Sequence, residues 1–439
     1  MNKKYYGPQT EKAINNFPFS FRLVPKNFIH AIAEIKKAAA IAHGEVGELD
    51  AVRVKAIVRA CDEIIAGTHD DQFRLPAFQG GAGTSNHMNV NEVVASRATE
   101  ILADGGKSVH VHANDHVNMS HSTNDVMPSA LKIVAVRLAE GVLVALDEMI
   151  AALEKKSKEF AKIHKLGRTH MQDAVPTTLG AEFASYVETL KRGRSRLATA
   201  QEQMLELNLG GTAIGNAINA SPKYRAKLYQ QLQKVTKLKV RQAKNMMSQT
   251  GSNSDFVYLS QSLTAVGVDL SKIAGDFRLM SSGPKGGFAE LILPELQPGS
   301  SIMPGKVNPV QPEALSQLYY LITGNNLTIE HAAHGAQLEL GVMMPIVTDR
   351  IIESFTLAAE MIHAFTEKCI KGLRANEAKI REHLENSTAY ATLVSPVIGY
   401  DAAAQAVKDA LAQGKTFREV VLAKDLLTEK EFDKITQEF

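Results

Sequence analysis

The sequence predicts an all-α protein. Apolar residues recur at three- and four-residue spacing over most of the 439 positions, and convincing alternating, strand-like runs are scarce. A third observation is one periodic run far longer than an ordinary helix, from about Val126 to His164, with Pro128 accommodated in its first turn. Along it Ile133, Val136, Val142, Leu146, Ile150 and Leu153 fall on overlapping faces, interrupted only by Gly141. At about 1.5 Å per residue such a helix is roughly 60 Å long, and it needs other long helices to hold it.

In chain order, a first helix is expected over Asn27 to Val46 and a second over Ala51 to Ala66, each with Ile, Val and Ala on one face. Residues 78–91, FQGGAGTSNHMNVN, are glycine-rich and polar and read as a loop leading into a helix near Glu92 to Leu102. A second polar loop, Val109 to Asn124, holds four histidines. Beyond the long run, further long helices are expected at Leu179 to Leu207, Asp255 to Met280, Pro309 to Ile329 and Pro345 to Leu373. These are apolar on more than one face, which points to subunits sharing a core and hence to an oligomer. From about Ala375 the pattern breaks into shorter helices around Gly399 and Gly414. The expected organisation is an N-terminal helical domain over 1–121, a central long-helix bundle over 122–373 and a small C-terminal helical domain over 374–439.

Composition narrows the function classes. Lysine plus arginine (49) nearly balances aspartate plus glutamate (47), so nothing points to nucleic acid or an anionic membrane as partner. Two cysteines, Cys61 and Cys369, fit neither a disulfide framework nor a structural zinc site and indicate a reducing compartment. The start, MNKKYYGPQTEK, is polar without the apolar run of a signal peptide, and no stretch approaches the ~20 apolar residues of a membrane span. The expectation is a soluble, cytoplasmic protein.

Chemistry is concentrated in four polar loops: Gly80 to Asn91, His110 to Asn124, Gly167 to Pro176 and Gly283 to Asn308. Loops at the ends of long helices meet orphan backbone N–H groups that favour anions. Their hydroxyls and amides, Thr84, Ser122, Thr123, Asn124, Thr169, Ser300, Ser301 and Asn308, are donors suited to carboxylate oxygens, with His170 and Lys306 as ionisable members. A small dicarboxylate is the ligand such a set fits. Capping is the competing role for Ser122, Thr123 or Asn124, which precede the long helix. The segment GSSIMPGKV is not a phosphate-binding P-loop, because five residues separate its glycines and Val307 stands where a Mg²⁺-binding hydroxyl belongs. His110, His112, His116 and His121 lack the paired carboxylate or cysteine spacing of a metal site, so no metal is expected.

The segment GSSIMPGKVNP, beginning at Gly299, resembles the signature of the aspartase/fumarase superfamily, whose members eliminate ammonia, water or another amine from a succinyl compound to give fumarate. YYGPQT, MNVNEV, NDHVN, STND, GRTHMQDAVP, GGTAIGN and SSGP resemble family segments in family order, over essentially the whole chain. The resemblance implies a three-domain subunit and a homotetramer in which each active site draws loops from three subunits, with no cofactor. It implies that Ser300 is the general base, that Thr84, Ser122, Thr123 and Ser301 hold one carboxylate, and that Lys306 and Asn308 hold the other. By the same resemblance Asn124, Thr169 and His170 surround the leaving group, and His170 pairs with Glu313.

QGGAGTS, Thr123 in STND and PELQPGSSIMPGKVNPV resemble aspartases, whereas VHANDHVN resembles fumarases, with His112, Asn114 and Asp115 falling where those enzymes carry a second dicarboxylate site. Aspartate ammonia-lyase is therefore the expected activity, with class II fumarase as the alternative. His87, Asn216, Ala217, Gly341 and Met344 depart from the family pattern, which keeps a lyase for an N-substituted aspartate open; a non-catalytic helical scaffold is the alternative from another class.

Overall fold

A computed structural model describes residues 3–437, so residues 1, 2, 438 and 439, in the expected terminal domains, lie outside the described residues. The helices in chain order are α1 (Pro8–Asn16), α2 (Lys26–Glu45), α3 (Ala51–Ile65), α4 (Thr84–Asp104), α5 (Thr123–Glu159), α6 (Leu179–Gln203), α7 (Pro222–Thr236), α8 (Met246–Gly251), α9 (Ser254–Met280), α10 (Val310–His334), α11 (Met344–Phe365), α12 (Glu377–Asn386), α13 (Ala391–Ile398), α14 (Tyr400–Gln413), α15 (Phe417–Ala423) and α16 (Glu429–Gln437). The all-α expectation is met, and α5, at 37 residues, is the long helix anticipated over 126–164. Among the described residues six short strands form three two-stranded sheets: β1 (His164–Thr169) with β2 (Gln172–Thr178), β3 (Glu206–Leu207) with β4 (Arg241–Gln242), and β5 (Leu291–Ile292) with β6 (Arg374–Ala375).

Two expectations are corrected. The segment 84–91 is helix rather than loop, because α4 begins at Thr84, directly after three successive left-handed residues, Gly81 (φ 76°), Ala82 (φ 56°) and Gly83 (φ 90°). Glycine-rich composition marked the tight turn but obscured the helix behind it. The segment 167–176 is a β-hairpin rather than an irregular loop, and the end of the long run, 160–164, has left the helix to enter it. Gly167 sits at its irregularity, where a Cβ would lie 2.6 Å from the Val175 carbonyl oxygen.

The chain divides into two compact units: residues 1–143, 195–266 and 320–359, and residues 144–194, 267–319 and 360–439. In the first, α2 packs against α3 and α7, and α3 against α4. The α1 N-terminus is closed by Glu92 of α4, whose carboxylate accepts from the backbone N–H groups of Gly7 (2.9 Å), Gln9 (2.9 Å) and Thr10 (3.1 Å) and from the Thr10 hydroxyl (2.6 Å). Orphan donors at a helix start need such a partner, and this carboxylate joins YYGPQT to MNVNEV. In the second unit, α13 to α16 enclose their own apolar core, including Val394, Ala406, Phe417, Val421 and Phe432. Cys61 and Cys369 are free and buried, and burial pushes both thiols up to about 12. None of the described helices is long and apolar enough to cross a membrane.

Candidate functional site

In the first unit the site is built around the start of α5. Ser122 caps that helix: its hydroxyl accepts from Asn124 N–H (3.2 Å), and its own N–H donates to the Asp125 carboxylate (2.9 Å). The capping role weighed for this residue is thus present. Thr123 Oγ1 lies 3.0 Å from His87 Nδ1, and the Asn124 side-chain amide donates to the Ala213 carbonyl at 2.7 Å. Thr84, on the exposed first turn of α4, donates its hydroxyl to the Gly81 carbonyl (2.8 Å), keeping its oxygen lone pairs free.

Asp125 is the hub beneath these residues. It is buried and accepts from Ser122, Gly210 (3.0 Å) and Thr212 (2.9 Å) backbone N–H groups. Burial pushes its carboxyl up to about 7, against the pull of those donors and of Lys36. The segment GGTAIGN is thereby folded onto the α5 start, through left-handed backbone at Gly210, Thr212, Gly215 and Ala217. Gly215 is obligatory, since a Cβ there would lie 2.4 Å from Met247 N. Ala217, one of the departures from the family pattern, adopts φ 61°, a conformation costing an alanine about 1 kcal/mol.

Around Asp125 lies a buried polar cluster that sequence reasoning missed. Lys36 of α2 donates to Asn118 Oδ1 (2.8 Å) and lies 3.1 Å from His121 Nδ1; burial pulls its amine down to about 7. His121 Nε2 meets the Tyr224 hydroxyl at 3.0 Å, and the Tyr224 ring stacks on His43 at 3.8 Å. Burial holds His87, His121 and His43 below the usual imidazole value. A signal was present: Ile29, Ile32, Lys36, Ala39 and His43 continue one stripe at helical spacing, so a lysine and a histidine occupy positions otherwise apolar. His121 leaves the histidine loop for this cluster.

The other loop histidines remain near the surface. His112, Asn114 and Asp115 share one exposed π-type turn, where His112 Nδ1 accepts from Asp115 N–H (3.2 Å) and lies 3.0 Å from its carboxylate. The structure thus brings together the three residues assigned to a second dicarboxylate site. Among the described residues no group of three or more His, Cys, Asp or Glu is arranged to hold a metal ion.

In the second unit Ser300, Ser301, Lys306 and Asn308 occupy one pinched loop. Its base is closed by Gly299 N–H to the Lys306 carbonyl (2.9 Å) and by the Asn308 amide to the Gly299 carbonyl (2.8 Å). Ser300 Oγ accepts from the backbone N–H groups of Ile302 and Met303, both at 3.2 Å. Two amide donors on a serine oxygen favour its alkoxide and so make it a stronger acid, which a serine acting as base requires. Ser301 and Lys306 are exposed on this loop, and Glu313 lies in the first turn of α10.

Thr169 and His170 are exposed at the tip of the β1–β2 hairpin. His170 (φ 55°) and Met171 (φ 63°) form its two-residue turn, with the consecutive left-handed residues that match the twist of the flanking strands. Below the tip, Arg168 donates to buried Glu290 (2.8 Å), which also meets His383 (3.0 Å) and Lys165 (3.2 Å), and the Arg168 guanidinium lies over the Phe288 ring. The tip is therefore held on a rigid base. No ion pair joins His170 to Glu313 within the chain among the described residues.

Comparison with known proteins adds a second line of observation. Residues 1–324 match a family model described as lyase, and residues 391–437 match one described as the fumarase C C-terminus. The chain is 41% identical over 432 residues to an aspartate ammonia-lyase of Bacillus subtilis, covering 98% of this chain and 91% of that one. It is 43% identical over 436 residues to a class II fumarate hydratase of Bradyrhizobium diazoefficiens, covering 99% and 92%. A crystal structure from Brucella melitensis, titled as a fumarate lyase:delta crystallin bound to cobalt, superposes with a TM-score of 0.95 at 41% identity, covering 100% and 96%.

Proposed function

The chain belongs to the aspartase/fumarase superfamily and is a lyase, and from that premise we propose that it eliminates ammonia from L-aspartate to give fumarate. The observation that carries the mechanism is the pair of backbone N–H groups on Ser300 Oγ. In this reading the Ser300 alkoxide takes the proton from the carbon beside one carboxylate, and the electron pair enters that carboxylate as an enediolate. The pair then returns as the carbon–nitrogen bond breaks and the amine leaves as ammonia. Ser122, Thr123 and Ser301 stabilise the enediolate, where charge develops, joined by Thr84 once its hydroxyl turns from the Gly81 carbonyl, while Lys306 and Asn308 hold the other carboxylate. Asn124, Thr169 and His170 surround the leaving amine.

The site is completed by association. Large apolar side chains stand exposed on the long helices, among them Val144 (49%), Val268 (49%), Tyr320 (63%) and Leu327 (54%), which supports a homotetramer. His170 and Glu313 then meet between copies, each active site drawing on three subunits. The three-domain organisation with boundaries near 121 and 373 and a cytoplasmic location belong to the same proposal, in which small dicarboxylates are the ligands and the chemistry needs no cofactor.

The choice of ammonia over water rests on Thr84, Thr123 and the QGGAGT turn. Class II fumarase is the second reading, favoured by the single exposed turn bearing His112, Asn114 and Asp115. The test is purified protein given L-aspartate and then L-malate, with fumarate followed by ultraviolet absorbance. Malate turnover with inert aspartate overturns the choice, and Ser300→Ala with full retained activity overturns the base.

A further inference from the structure

We propose that His87 is a positioning residue: by donating Nδ1–H to Thr123 it turns the Thr123 hydroxyl proton outward, making Thr123 a hydrogen-bond donor to a substrate carboxylate. This rests on the dicarboxylate reading above and adds to it a residue that touches no substrate.

His87 is the fourth residue of α4 and only 1% exposed. Its Nδ1 is 3.0 Å from Thr123 Oγ1, while its Nε2 is buried without a partner. Burial and the nearby Lys36 amine keep the ring neutral, so one nitrogen carries hydrogen and the other a lone pair. The two tautomers differ sharply in cost. With hydrogen on Nε2, a buried N–H has no acceptor, the rarer and more costly kind of orphan. Nδ1 would then take the single hydroxyl proton of Thr123, which would present only lone pairs to the site and repel a carboxylate. With hydrogen on Nδ1, only a lone pair is left over at Nε2. Thr123 then accepts from His87 and its own proton is free.

Thr123 is half-buried, with a side still open to ligand, and it opens the 37-residue α5, where aligned peptide dipoles favour an anion. The tautomer that minimises buried cost is therefore the one an anionic substrate needs. The family resemblance places asparagine at this position, and an asparagine amide can present a donor at nearly the place of Nδ1. The departure at His87 exchanges one donor for another.

The test is a cycle of His87→Asn, His87→Leu and Thr123→Val, read by calorimetric binding of succinate, a non-reacting dicarboxylate, and by the split between KM and kcat. His87→Leu is expected to weaken succinate binding and to lower kcat/KM, each by up to about tenfold, the worth of one hydrogen bond, with kcat falling as well because Thr123 also holds the enediolate. His87→Asn restores binding, and in the Thr123→Val background His87→Leu has no further effect. Equal losses in both backgrounds, or no loss from His87→Leu, overturn the proposal. Neutron diffraction on the unmodified protein decides it should the leucine variant not fold: deuterium on Nδ1 supports the assignment and deuterium on Nε2 refutes it. Unmodified protein that binds no succinate and turns over neither substrate refutes the dicarboxylate reading instead, and the neutron result still decides the tautomer.

Discussion

Gly299→Ala tests whether the pinch in the serine loop governs catalysis. A Cβ at residue 299 would lie 2.2 Å from the Lys306 carbonyl oxygen and 2.9 Å from Asn308 N. Both neighbours are backbone, so the loop base must open by about an ångström, and ordinary contact distances cannot be kept otherwise. Opening breaks the Gly299 N–H to Lys306 bond and the Asn308 amide to Gly299 bond. At about 0.5–1.5 kcal/mol each, their loss removes roughly 1–3 kcal/mol from the closed arrangement, which lowers its population about 5- to 150-fold. Because Ser300 and Lys306 are positioned by that closure, kcat/KM for fumarate formation should fall by a similar factor. The loop is largely exposed and carries little core, so the thermal midpoint should move by no more than a degree or two. Gly305→Ala is the control: its φ is +77° but nothing lies within 4 Å of the added carbon, so only about 1 kcal/mol of backbone strain is expected. A Gly299→Ala enzyme as active as the parent, or less impaired than Gly305→Ala, would show that the pinch is not the catalytic arrangement.

Other sites give independent predictions. Glu92→Ala strips three backbone donors and the Thr10 hydroxyl of their acceptor and should cost about 2–3 kcal/mol in chemical denaturation, with α1 becoming protease-sensitive; unchanged stability would mean the cap is dispensable. Glu63, hydrogen-bonded by Arg97 at 2.6 and 3.0 Å, is held down to about 2 from 4.5. A depressed carboxylate contributes stability that is present above pH ~4.5 and lost as pH falls toward ~2, at most about 3 kcal/mol here, so Glu63→Gln should flatten the acid limb of a stability-versus-pH curve. Gly341→Ala would place a Cβ 2.4–2.6 Å from the buried Asn253 amide and should cost about 1–3 kcal/mol; denaturation identical to the parent would mean that Asn253 moves aside freely.

The long helices were legible because burial along α5, α6, α9, α10 and α11 is mostly apolar, and apolar spacing is what periodicity reports. The serine loop was legible as a density of polar residues, and its pinch explains the glycine at 299, though the close approach to Lys306 depends on contacts seven residues apart. The β1–β2 hairpin was not legible, since its turn, His170-Met171, has neither glycine nor asparagine to announce left-handed backbone. The start of α4 was hidden for the opposite reason: Gly81 and Gly83 announced a turn so strongly that the helix opening at Thr84 was read as more of it. Gly341 looked like an anomaly in sequence, yet Asn253 fills the space a side chain would occupy there. Met344, another departure from the family pattern, is a buried residue at the start of α11 and is explained by apolar packing.

The polar cluster under α5 was the hardest feature to read, and the reason bears on substrate choice. Lys36, His43, His87, His121 and Asp125 come from three helices and a loop, and only Lys36 and His43, which interrupt the apolar stripe of α2, carry a signal in the sequence. Only their assembly around one helix start shows that the groups beneath Thr123 and Asn124 are buried hydrogen-bond donors and acceptors with restricted protonation. A water leaving group and an ammonium leaving group differ by a charge and by donor count, so both nearby charges and the orientation of neighbouring hydroxyls and amides bear on which is favoured. In the proposed function the layer beneath the α5 start turns Thr123 toward a carboxylate, and exchanging one buried partner there reverses the donor sense of that half-buried hydroxyl without moving it.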